Sequence, residues 1–450
     1  MSETNRKIVS QLVELAKTNA KIEPELYLKY NVKRGLRNED GSGVLVGLTT
    51  IGDVHGYIID EGESKPVEGR LRYRGIDIKE LVNGFQSENR YGFEETAFLL
   101  LFGKLPNKKE LADFIELLNN YRNLPEGFKE NIILKSPGKN LMNLLIRQVS
   151  VLYAYDPDPD NLELENVLMQ CIKLIARFPA MVAYAYHAKR HYHQGKSLHL
   201  HHQSGEHSHA ENFLSLIRPT RDFSKLEAEI LDLCLVLHAE HGGGNNSTFT
   251  VHVVSSTGTD TYSAIAAAIG SLKGPKHGGA NTKVMEMMDD AKKNIKDWTN
   301  ENQIKDYITK IIKKEAFDRS GLIYGMGHAV YSLSDPRAEL LKAKAMELAK
   351  ESKREEEFYL YTKIEEIGKK TFQELKGSKV ICANVDFYSG FVYDMLGIEE
   401  DLHTPIFAIA RIAGWSAHLI EEIVSGGRII RPAYKYVLGE HKYIPLDQRK

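Results

Sequence analysis

A segment near the end of the chain is apolar on almost every side, and it restricts the fold more than any other feature. It reads TPIFAIARIAGWSAHLIEEIVSGG, residues 404–427. Thr404 and Pro405 predict a helix start, as a cap followed by proline at the first helical position, and Gly426-Gly427 predict its end. A helix with apolar residues around its circumference has to be covered by other elements. We therefore expect this helix to be buried.

Helix signals recur along the chain, whereas strand signals are few. PNKKELADFIELLNNYRNL opens with Asn107 as a candidate N-cap and carries Glu110, which completes a capping box. DTYSAIAAAIGSLKGP begins at Asp260 and ends at Gly274-Pro275. VHGYIIDE and GRLRYRG, separated by the turn-like GESKPVE, predict a small antiparallel β ribbon near the N-terminus. The predicted class is mostly α.

The balance of charge and the cysteine pattern limit the partners and the compartment. The 450 residues include 59 basic and 61 acidic ones, so the basic excess typical of nucleic-acid and membrane-surface binding is missing. Cys171, Cys234 and Cys382 form no CxxC pair, which favours a reducing compartment. No stretch reaches the ~18 continuous apolar residues of a membrane span. We expect a soluble, cytoplasmic protein with neither nucleic acid nor membrane as partner.

His277 lies in a short link between two predicted helices, in KGPKHGGANTK, residues 273–283. The positive end of the following helix disfavours an imidazolium and so keeps the ring neutral. A neutral imidazole can donate one hydrogen bond to an oxygen on which negative charge develops. The alternative is a structural histidine that fills a turn.

A second glycine-rich segment is YGMGHAVYSLSDPRAEL, in which Gly325 and Gly327 flank Met326 and His328 follows. Asp335-Pro336 predicts a helix cap and first turn. Arg337 then lies in that turn, where its planar fork can bind a carboxylate. The alternative is a glycine loop followed by a surface arginine.

Asp386 follows the apolar KVICANV and precedes another apolar run. Apolar surroundings raise the pKa of a carboxyl group, which suits a general base. The alternative is that Asp386 caps the helix that follows.

Arg411 lies on the buried helix one turn after Phe407, and Arg431 follows a glycine break. Each arginine needs an anionic partner, and an internal salt bridge is the alternative to a ligand.

Histidines are concentrated in two places. His238 and His241 lie in LHAEHGGGNNSTFT, which lacks the HExxH spacing of a zinc site. Eight of the 17 histidines fall between His187 and His209. His187 and His191 have the i, i+4 spacing of two metal ligands on a helix, but glycine, serine and glutamine interrupt the rest. We favour a mobile or substrate-lining loop there and expect no metal site.

Taken in order, HAEHGGGNNSTF, GPKHGGAN, YGMGHAVYSLSDPR, NVDFYSG, FAIAR and RIIRP resemble the citrate synthase family. The upstream EGRLRYRGIDIKEL is also similar, and the likeness covers roughly residues 45–440. It implies a two-domain helical fold, with a large domain at residues 1–278 and 389–450 and a small domain at 279–388. It also implies a homodimer that condenses acetyl-CoA with oxaloacetate and hydrolyses citryl-CoA, a step of the tricarboxylic acid cycle, without a cofactor.

The resemblance assigns roles residue by residue. Asp386 matches the base that removes the methyl proton, His277 the donor to the thioester oxygen, and His328 the residue that polarises the ketone of oxaloacetate. The substrate carboxylates are held by residues matching His241, Arg337, Arg411 and, from the second subunit, Arg431, with Phe407 beside them. Gly325, Met326, Gly327 and Asn384 lie where the family contacts CoA. Gly242 departs from the family, which commonly has an acidic residue at that position.

Two other functions stay open at this point. A 2-methylcitrate synthase has the same motifs but uses propionyl-CoA, and one methylene changes binding by only ~1–3 kcal/mol. A non-catalytic protein that binds metal through its histidine-rich stretch is the alternative from a different class.

Overall fold

The computed structural model describes residues 2–38, 41–60, 63–377 and 380–449, and most of them are helical. They fall into two units, Met1–Gly47 with Arg431–Lys450, and Leu48–Ile430. The smaller unit carries helices α1 (Glu3–Asn19) and α2 (Pro24–Lys29). Among the candidate site residues, Arg431 belongs to the smaller unit and the others to the larger one.

The larger unit contains three strands and the remaining helices. The strands are β1 (Gly52–Asp60), β2 (Glu63–Tyr73) and β3 (Ile76–Asp77). The helices are α3 (Ile78–Ser87), α4 (Phe93–Phe102), α5 (Lys108–Tyr121), α6 (Leu141–Leu152), α7 (Leu164–Gln194), α8 (His209–Ile217), α9 (Lys225–His238), α10 (Asn246–Ser255), α11 (Thr261–Leu272), α12 (Ala280–Asn294), α13 (Glu301–Ile312), α14 (Pro336–Glu351), α15 (Glu355–Lys376), α16 (Val385–Met395) and α17 (His403–Ser425). This confirms the mostly α class. The predicted domain boundaries at 278 and 388 both lie inside the larger unit and stay a prediction.

Helix α17 is the predicted apolar helix, and it lies inside the larger unit. It packs against α4, α7, α9, α10 and α11. Every residue from Pro405 to Leu419 is buried except Phe407. The helix ends at Gly426, which adopts the left-handed conformation, as predicted. It begins at His403, two residues earlier than predicted, because the Thr404 hydroxyl donates to the Gly278 carbonyl (2.9 Å) and does not cap the helix.

A glycine brings α17 close to the turn that follows α9. A Cβ atom at Gly414 would lie 2.3 Å from the Ala239 carbonyl oxygen and 2.5 Å from Glu240 Oε2. Only a residue without a side chain allows this approach. The turn at 239–242 is therefore held directly against the buried helix.

Predicted helix caps are present in the structure. The Asn107 side chain accepts from the amides of Lys109 (2.9 Å) and Glu110 (3.0 Å), and the Glu110 carboxylate accepts from the Asn107 amide (2.9 Å). This is the capping box that the sequence predicts. Asp260 caps α11 by accepting from the amide of Ser263 at 2.8 Å.

The three strands form one antiparallel sheet in the order β1-β2-β3, which confirms the ribbon. Its register pairs Gly52 with Tyr73 and Tyr57 with Pro66. The prediction of a turn at residues 62–68 is wrong for residues 63–68, because they belong to β2, in which residues 63–66 pair with residues 60–57 of β1. Residues 61 and 62, at the predicted connection, lie outside the described residues.

Helix α7 is the one described helix that is long and apolar enough to cross a membrane, judged by length and composition alone. Of its most apolar stretch, 78% is buried inside the protein. A core helix of a soluble protein has the same properties.

Candidate active site

His277 lies in the link between α11 and α12, as the sequence predicts, and is half-buried. Its Nε2 atom is 3.0 Å from the hydroxyl of Ser247, near the start of α10. Ser247 Oγ also accepts from Trp415 Nε1 (3.1 Å) and lies 2.9 Å from Asn245 Oδ1. Burial, with the charge of Arg411 adding to it, lowers the pKa of His277 to about 4. The ring is therefore neutral at physiological pH.

The GMG segment pairs with the residues that lead into α16. Met326 and Ala383 form an antiparallel bridge, and the Gly327 amide donates to the Cys382 carbonyl at 2.7 Å. The Asn384 side chain completes the pairing, since its Nδ2 donates to the Gly327 carbonyl at 2.9 Å. The four predicted CoA-site residues, Gly325, Met326, Gly327 and Asn384, thus lie together, and the chain continues from them to His328 and to Asp386.

His328 is held in one tautomer by the backbone that follows it. Its Nδ1 accepts hydrogen bonds from the amides of Val330 (3.1 Å) and Tyr331 (3.2 Å). In a neutral ring the proton is then on Nε2, which becomes a donor. The ring stacks on Tyr331 with centroids 4.7 Å apart and lies edge-on to His241 at 5.0 Å. His328 and His241, from different motifs, are therefore in contact.

Asp386 is the second residue of α16, and the helix is capped by Asn384, whose Oδ1 accepts from the Asp386 amide at 3.0 Å. The alternative that Asp386 is the cap is thereby excluded. Burial raises the pKa of Asp386 to about 6, although the charges of Arg337 and Arg411 oppose this. The group is poised to exchange protons close to neutral pH.

Arg337 is buried, which excludes the alternative of a surface arginine. It lies in the first turn of α14, and Asp335 caps that helix as predicted. The same aspartate binds the guanidinium through two hydrogen bonds, from Nε (3.1 Å) and Nη2 (2.8 Å). Despite burial, Asp335 keeps the pKa of Arg337 above its ordinary value. Arg337 is thus charged and held in a fixed orientation.

Arg411 differs from Arg337 because it has no anionic partner among the described residues. Its Nε donates to the His238 carbonyl at 2.7 Å, and its guanidinium lies 4.7 Å from the centre of the Phe407 ring. Its Nη1 and Nη2 atoms are buried, and no hydrogen-bond partner exists for them in the described part of the chain. Burial lowers the pKa of Arg411 to about 10, so the group stays charged at neutral pH. A buried charge with two open donors requires an anion.

The Arg411 charge connects the predicted residues. It lowers the pKa of His241 and His277, in each case in the same direction as burial, and it opposes the burial effect at Asp386. Phe407 lies between Arg411 and His277, with its ring centroid 6.2 Å from that of His277. The larger unit therefore brings five predicted motifs to one place. Arg431 is exposed in the smaller unit, and its action across a subunit interface stays a prediction.

The sequence predicts no role for three residues of the site, Glu240, Ser247 and Tyr331, and for Asp335 it predicts only a helix cap. Glu240 is fully buried next to His241, and its Oε1 accepts from the Gly242 amide and from His418 Nε2. Against the effect of burial, His418 and Arg411 hold its pKa below the ordinary value. The closeness of Asp335 to Arg337 in sequence also allows the ion pair that the structure shows. Ser247 contacts His277 and Glu240 contacts His418, which are far away in sequence, so no spacing in the sequence indicates these contacts.

The histidine-rich stretch, residues 187–209, does not belong to the candidate active site in the part of the chain that the structure describes. His187 is buried, and its Nε2 lies 2.8 Å from the Leu216 carbonyl oxygen, whereas His191 Nδ1 lies 2.9 Å from that of Lys196. A ring nitrogen that donates to a carbonyl carries a proton and cannot bind a metal. The two histidines with i, i+4 spacing thus bond to different parts of the backbone.

Comparison with known proteins identifies the family. The model of the citrate synthase C-terminal domain matches residues 40–433. A citrate synthase from Synechocystis is 33% identical over 85% of this chain and 89% of its own length. A 2-methylcitrate synthase from Corynebacterium glutamicum is 32% identical over 93% of this chain and 98% of its own length. A solved citrate synthase from Thermoplasma acidophilum, in ternary complex with carboxymethyl coenzyme A and oxaloacetate, superimposes with a TM-score of 0.75 at 26% identity, covering 93% and 99% of the two chains. The chain belongs to the citrate synthase family and is an acyltransferase.

Proposed function

We propose that the chain condenses acetyl-CoA with oxaloacetate and then hydrolyses citryl-CoA to citrate and CoA. The observation that carries this proposal is the buried guanidinium of Arg411, whose Nη1 and Nη2 have no hydrogen-bond partner in the described residues. His241 Nε2 is also buried and has no hydrogen-bond partner in the described residues. The small-molecule anion that completes this pocket is oxaloacetate, which supplies two carboxylates and a ketone oxygen.

Binding of oxaloacetate uses both buried arginines and both histidines. Arg411 and Arg337 bind carboxylates, and Arg337 does so from a position fixed by Asp335. His241 donates from Nε2 to a carboxylate. His328 donates from Nε2 to the ketone oxygen, because its Nδ1 accepts from the backbone. This hydrogen bond withdraws electron density from the ketone carbon and prepares it for attack.

Asp386 and His277 form the enol of acetyl-CoA. The methyl C–H bond breaks, its proton passes to the Asp386 carboxylate, and its electron pair forms the C=C bond of the enol as the thioester oxygen gains electron density. A carboxylate alone cannot ionise such a weak carbon acid, so the oxygen must be stabilised at the same time. Neutral His277 donates to that oxygen from Nδ1, which requires the Ser247 hydroxyl to turn its single proton from Asn245 Oδ1 to His277 Nε2.

The enol carbon then attacks the ketone carbon, and a C–C bond forms. The ketone oxygen takes the Nε2 proton of His328, and the proton held by Asp386 returns to His328 through solvent, which gives citryl-CoA and restores both residues. Water adds to the thioester carbonyl carbon, the C–S bond breaks, and CoA leaves with a proton. We place the CoA contact at Gly325–Met326–Gly327 and Asn384, the bridge between His328 and Asp386. No cofactor is needed for these steps.

The acyl group decides between two functions. Homologues of both kinds, citrate and 2-methylcitrate synthases, are similar to this chain. The deciding measurement is thiol release with oxaloacetate and either acetyl-CoA or propionyl-CoA. The proposal predicts the higher kcat/KM with acetyl-CoA, whereas a higher value with propionyl-CoA would make the chain a 2-methylcitrate synthase. No thiol release with either compound would favour the non-catalytic alternative.

We also propose that the protein is a cytoplasmic homodimer in which Arg431 serves the partner's active site. Apolar side chains of the smaller unit support an interface there, since Leu12, Leu28 and Tyr434 are 58%, 73% and 94% exposed. The three free, buried cysteines agree with a reducing compartment.

Mixed dimers test the role of Arg431. Asp386→Asn and Arg431→Gln are each expected to be nearly inactive. When the two variants are unfolded together and refolded, a mixed dimer contains one site with both native residues only if Arg431 acts across the interface. Recovery of activity supports the proposal, and its absence in dimers shown to be mixed contradicts it.

A further inference from the structure

Two histidines on α10 and α17 face each other outside the proposed active site. His252 Nε2 and His418 Nδ1 are 3.0 Å apart. The His418 side chain is fully buried, whereas His252 keeps 13% of its side-chain surface exposed. The pair is thus enclosed but can be reached from solvent past His252.

The outer nitrogen of each ring faces a carboxylate. His252 Nδ1 lies 2.8 Å from Glu422 Oε2, and His418 Nε2 lies 3.1 Å from Glu240 Oε1. A carboxylate accepts, so neutral rings carry their protons on these outer nitrogens. The two inner nitrogens then point their lone pairs at each other. The same carboxylate–histidine arrangement orients the imidazole ligands of metal ions.

A third ligand atom lies beside the two rings. Glu421 Oε2 is 3.8 Å from His418 Nδ1, and it is buried without a hydrogen-bond partner among the described residues. Its other oxygen accepts from the amide (2.7 Å) and hydroxyl (2.8 Å) of Thr50. The three candidate ligand atoms all lie within 4.8 Å of one another. Ligands of a tetrahedral zinc ion are separated by about 3.3 Å, so a modest inward movement of Glu421 completes the set.

We infer that His252, His418 and Glu421 bind a divalent transition-metal ion of the Zn²⁺ class, with water as the fourth ligand. Two imidazoles and one carboxylate suit this ion. No spacing in the sequence indicates this site, because the three ligands are distant in sequence and lie outside the histidine-rich stretch. The ion fastens α10 to α17 and, through Glu240, supports the turn that carries His241. It takes no part in the condensation.

Binding of Zn²⁺ alone tests the inference. Chelator-treated, full-length protein is titrated with Zn²⁺ in competition with a chromophoric chelator, and one ion per chain is expected. His252→Gln should weaken binding by at least about 100-fold. Glu422→Gln, which keeps the three ligands but removes the outer carboxylate, should weaken it by about 10–100-fold. Zn²⁺ should raise the Tm of the native protein and of a control, His191→Gln, but not that of His252→Gln.

Co²⁺ binding provides a second measurement that does not depend on the stability of any one variant. The native protein with Co²⁺ should show the visible absorption of a four-coordinate site, and this absorption should decrease in Glu421→Gln. The inference is wrong if millimolar Zn²⁺ does not bind, which would indicate a proton shared between the two rings. It is also wrong if binding is lost in His191→Gln and kept in His252→Gln, because the ion would then belong to the histidine-rich stretch.

Discussion

Met326 and Ala383 form an antiparallel bridge, and this bridge joins the segments that carry two candidate catalytic residues. His328 follows the first segment, and Asp386 follows the second. Hydrogen bonds of 2.7 Å from the Gly327 amide to Cys382 and 2.8 Å from the Asn384 amide to Gly325 fix the pairing. The distance between His328, the proposed ketone-polarising group, and Asp386, the proposed base, is therefore set by backbone pairing, which side-chain substitutions elsewhere cannot easily alter.

Gly325 is required for this bridge. Its φ is +75°, and a Cβ atom there would lie 2.8 Å from Val284 Cγ2 and 2.9 Å from Phe387 Cα. We expect Gly325→Ala to reduce the free energy of unfolding by about 2–4 kcal/mol, from backbone strain together with overpacking. Gly397→Ala is the control, since its φ is +66° but no atom lies within 4 Å, and it should cost only about 1–2 kcal/mol. Equal losses of Tm in the two variants would mean that no close contact exists at Gly325.

Removal of the two buried arginines should change the stability of the protein to different extents. Arg337→Met leaves Asp335 buried without its partner and should lower the free energy of unfolding by about 3–5 kcal/mol. Arg411→Met removes a charge that has no hydrogen-bonded anion among the described residues but also removes its attraction to Glu240, so the ligand-free protein should lose much less free energy of unfolding than Arg337→Met does. Thermal unfolding without substrate measures both. A large loss of Tm in Arg411→Met would show that an anion within the protein already pairs with Arg411.

Arg411→Met should also abolish the stabilisation by oxaloacetate. Ligand binding raises the Tm of the native protein by mass action, and the affinity should fall by at least about 100-fold once the two Nη donors are removed. Isothermal titration with oxaloacetate gives the affinity. If the variant binds oxaloacetate as tightly as the native protein, the anion pocket has been misplaced.

Ser247 should position His277. Ser247→Ala removes the hydroxyl at 3.0 Å from His277 Nε2, so the ring loses its fixed orientation. We expect kcat to fall by about 10-fold or more while the Kd for oxaloacetate is unchanged, because Ser247 affects the acetyl group only. Ser263→Ala, on α11, is a control for hydroxyl removal. A change in oxaloacetate affinity, with kcat preserved, would contradict this role.

The pH dependence follows from the buried carboxyl group. Burial raises the pKa of Asp386 to about 6, and the base must be ionised, so kcat/KM should rise with pH below about 6 and level off above it. His277 stays neutral over this range because burial lowers its pKa to about 4.

The stability of the protein should also depend on pH. Since the pKa of Asp386 is higher in the folded than in the unfolded protein, the native protein loses stability as pH rises through 6. Asp386→Asn should therefore stabilise the protein more at pH 8 than at pH 4, and the opposite trend would refute the raised pKa.

Local features were predictable from the sequence, and long-range partners were not. Burial of α17 follows from its composition, and the capping box at Asn107 follows from residues close in sequence. Asn384 and Asp386 both favour the start of a helix, so sequence alone could not tell which one caps α16. The contact of His252 with His418 and that of His277 with Ser247 depend on how helices pack, and no spacing indicates them.

The Asp386→Asn variant tests the assignment of the base. The amide has nearly the same shape as the carboxyl group but cannot accept the methyl proton. We expect kcat for thiol release from acetyl-CoA to fall by about 10²–10⁴-fold, with the Kd for oxaloacetate changed by less than about threefold. A kcat close to that of the native enzyme would show that another group removes the proton, and the mechanism proposed for this site would be wrong.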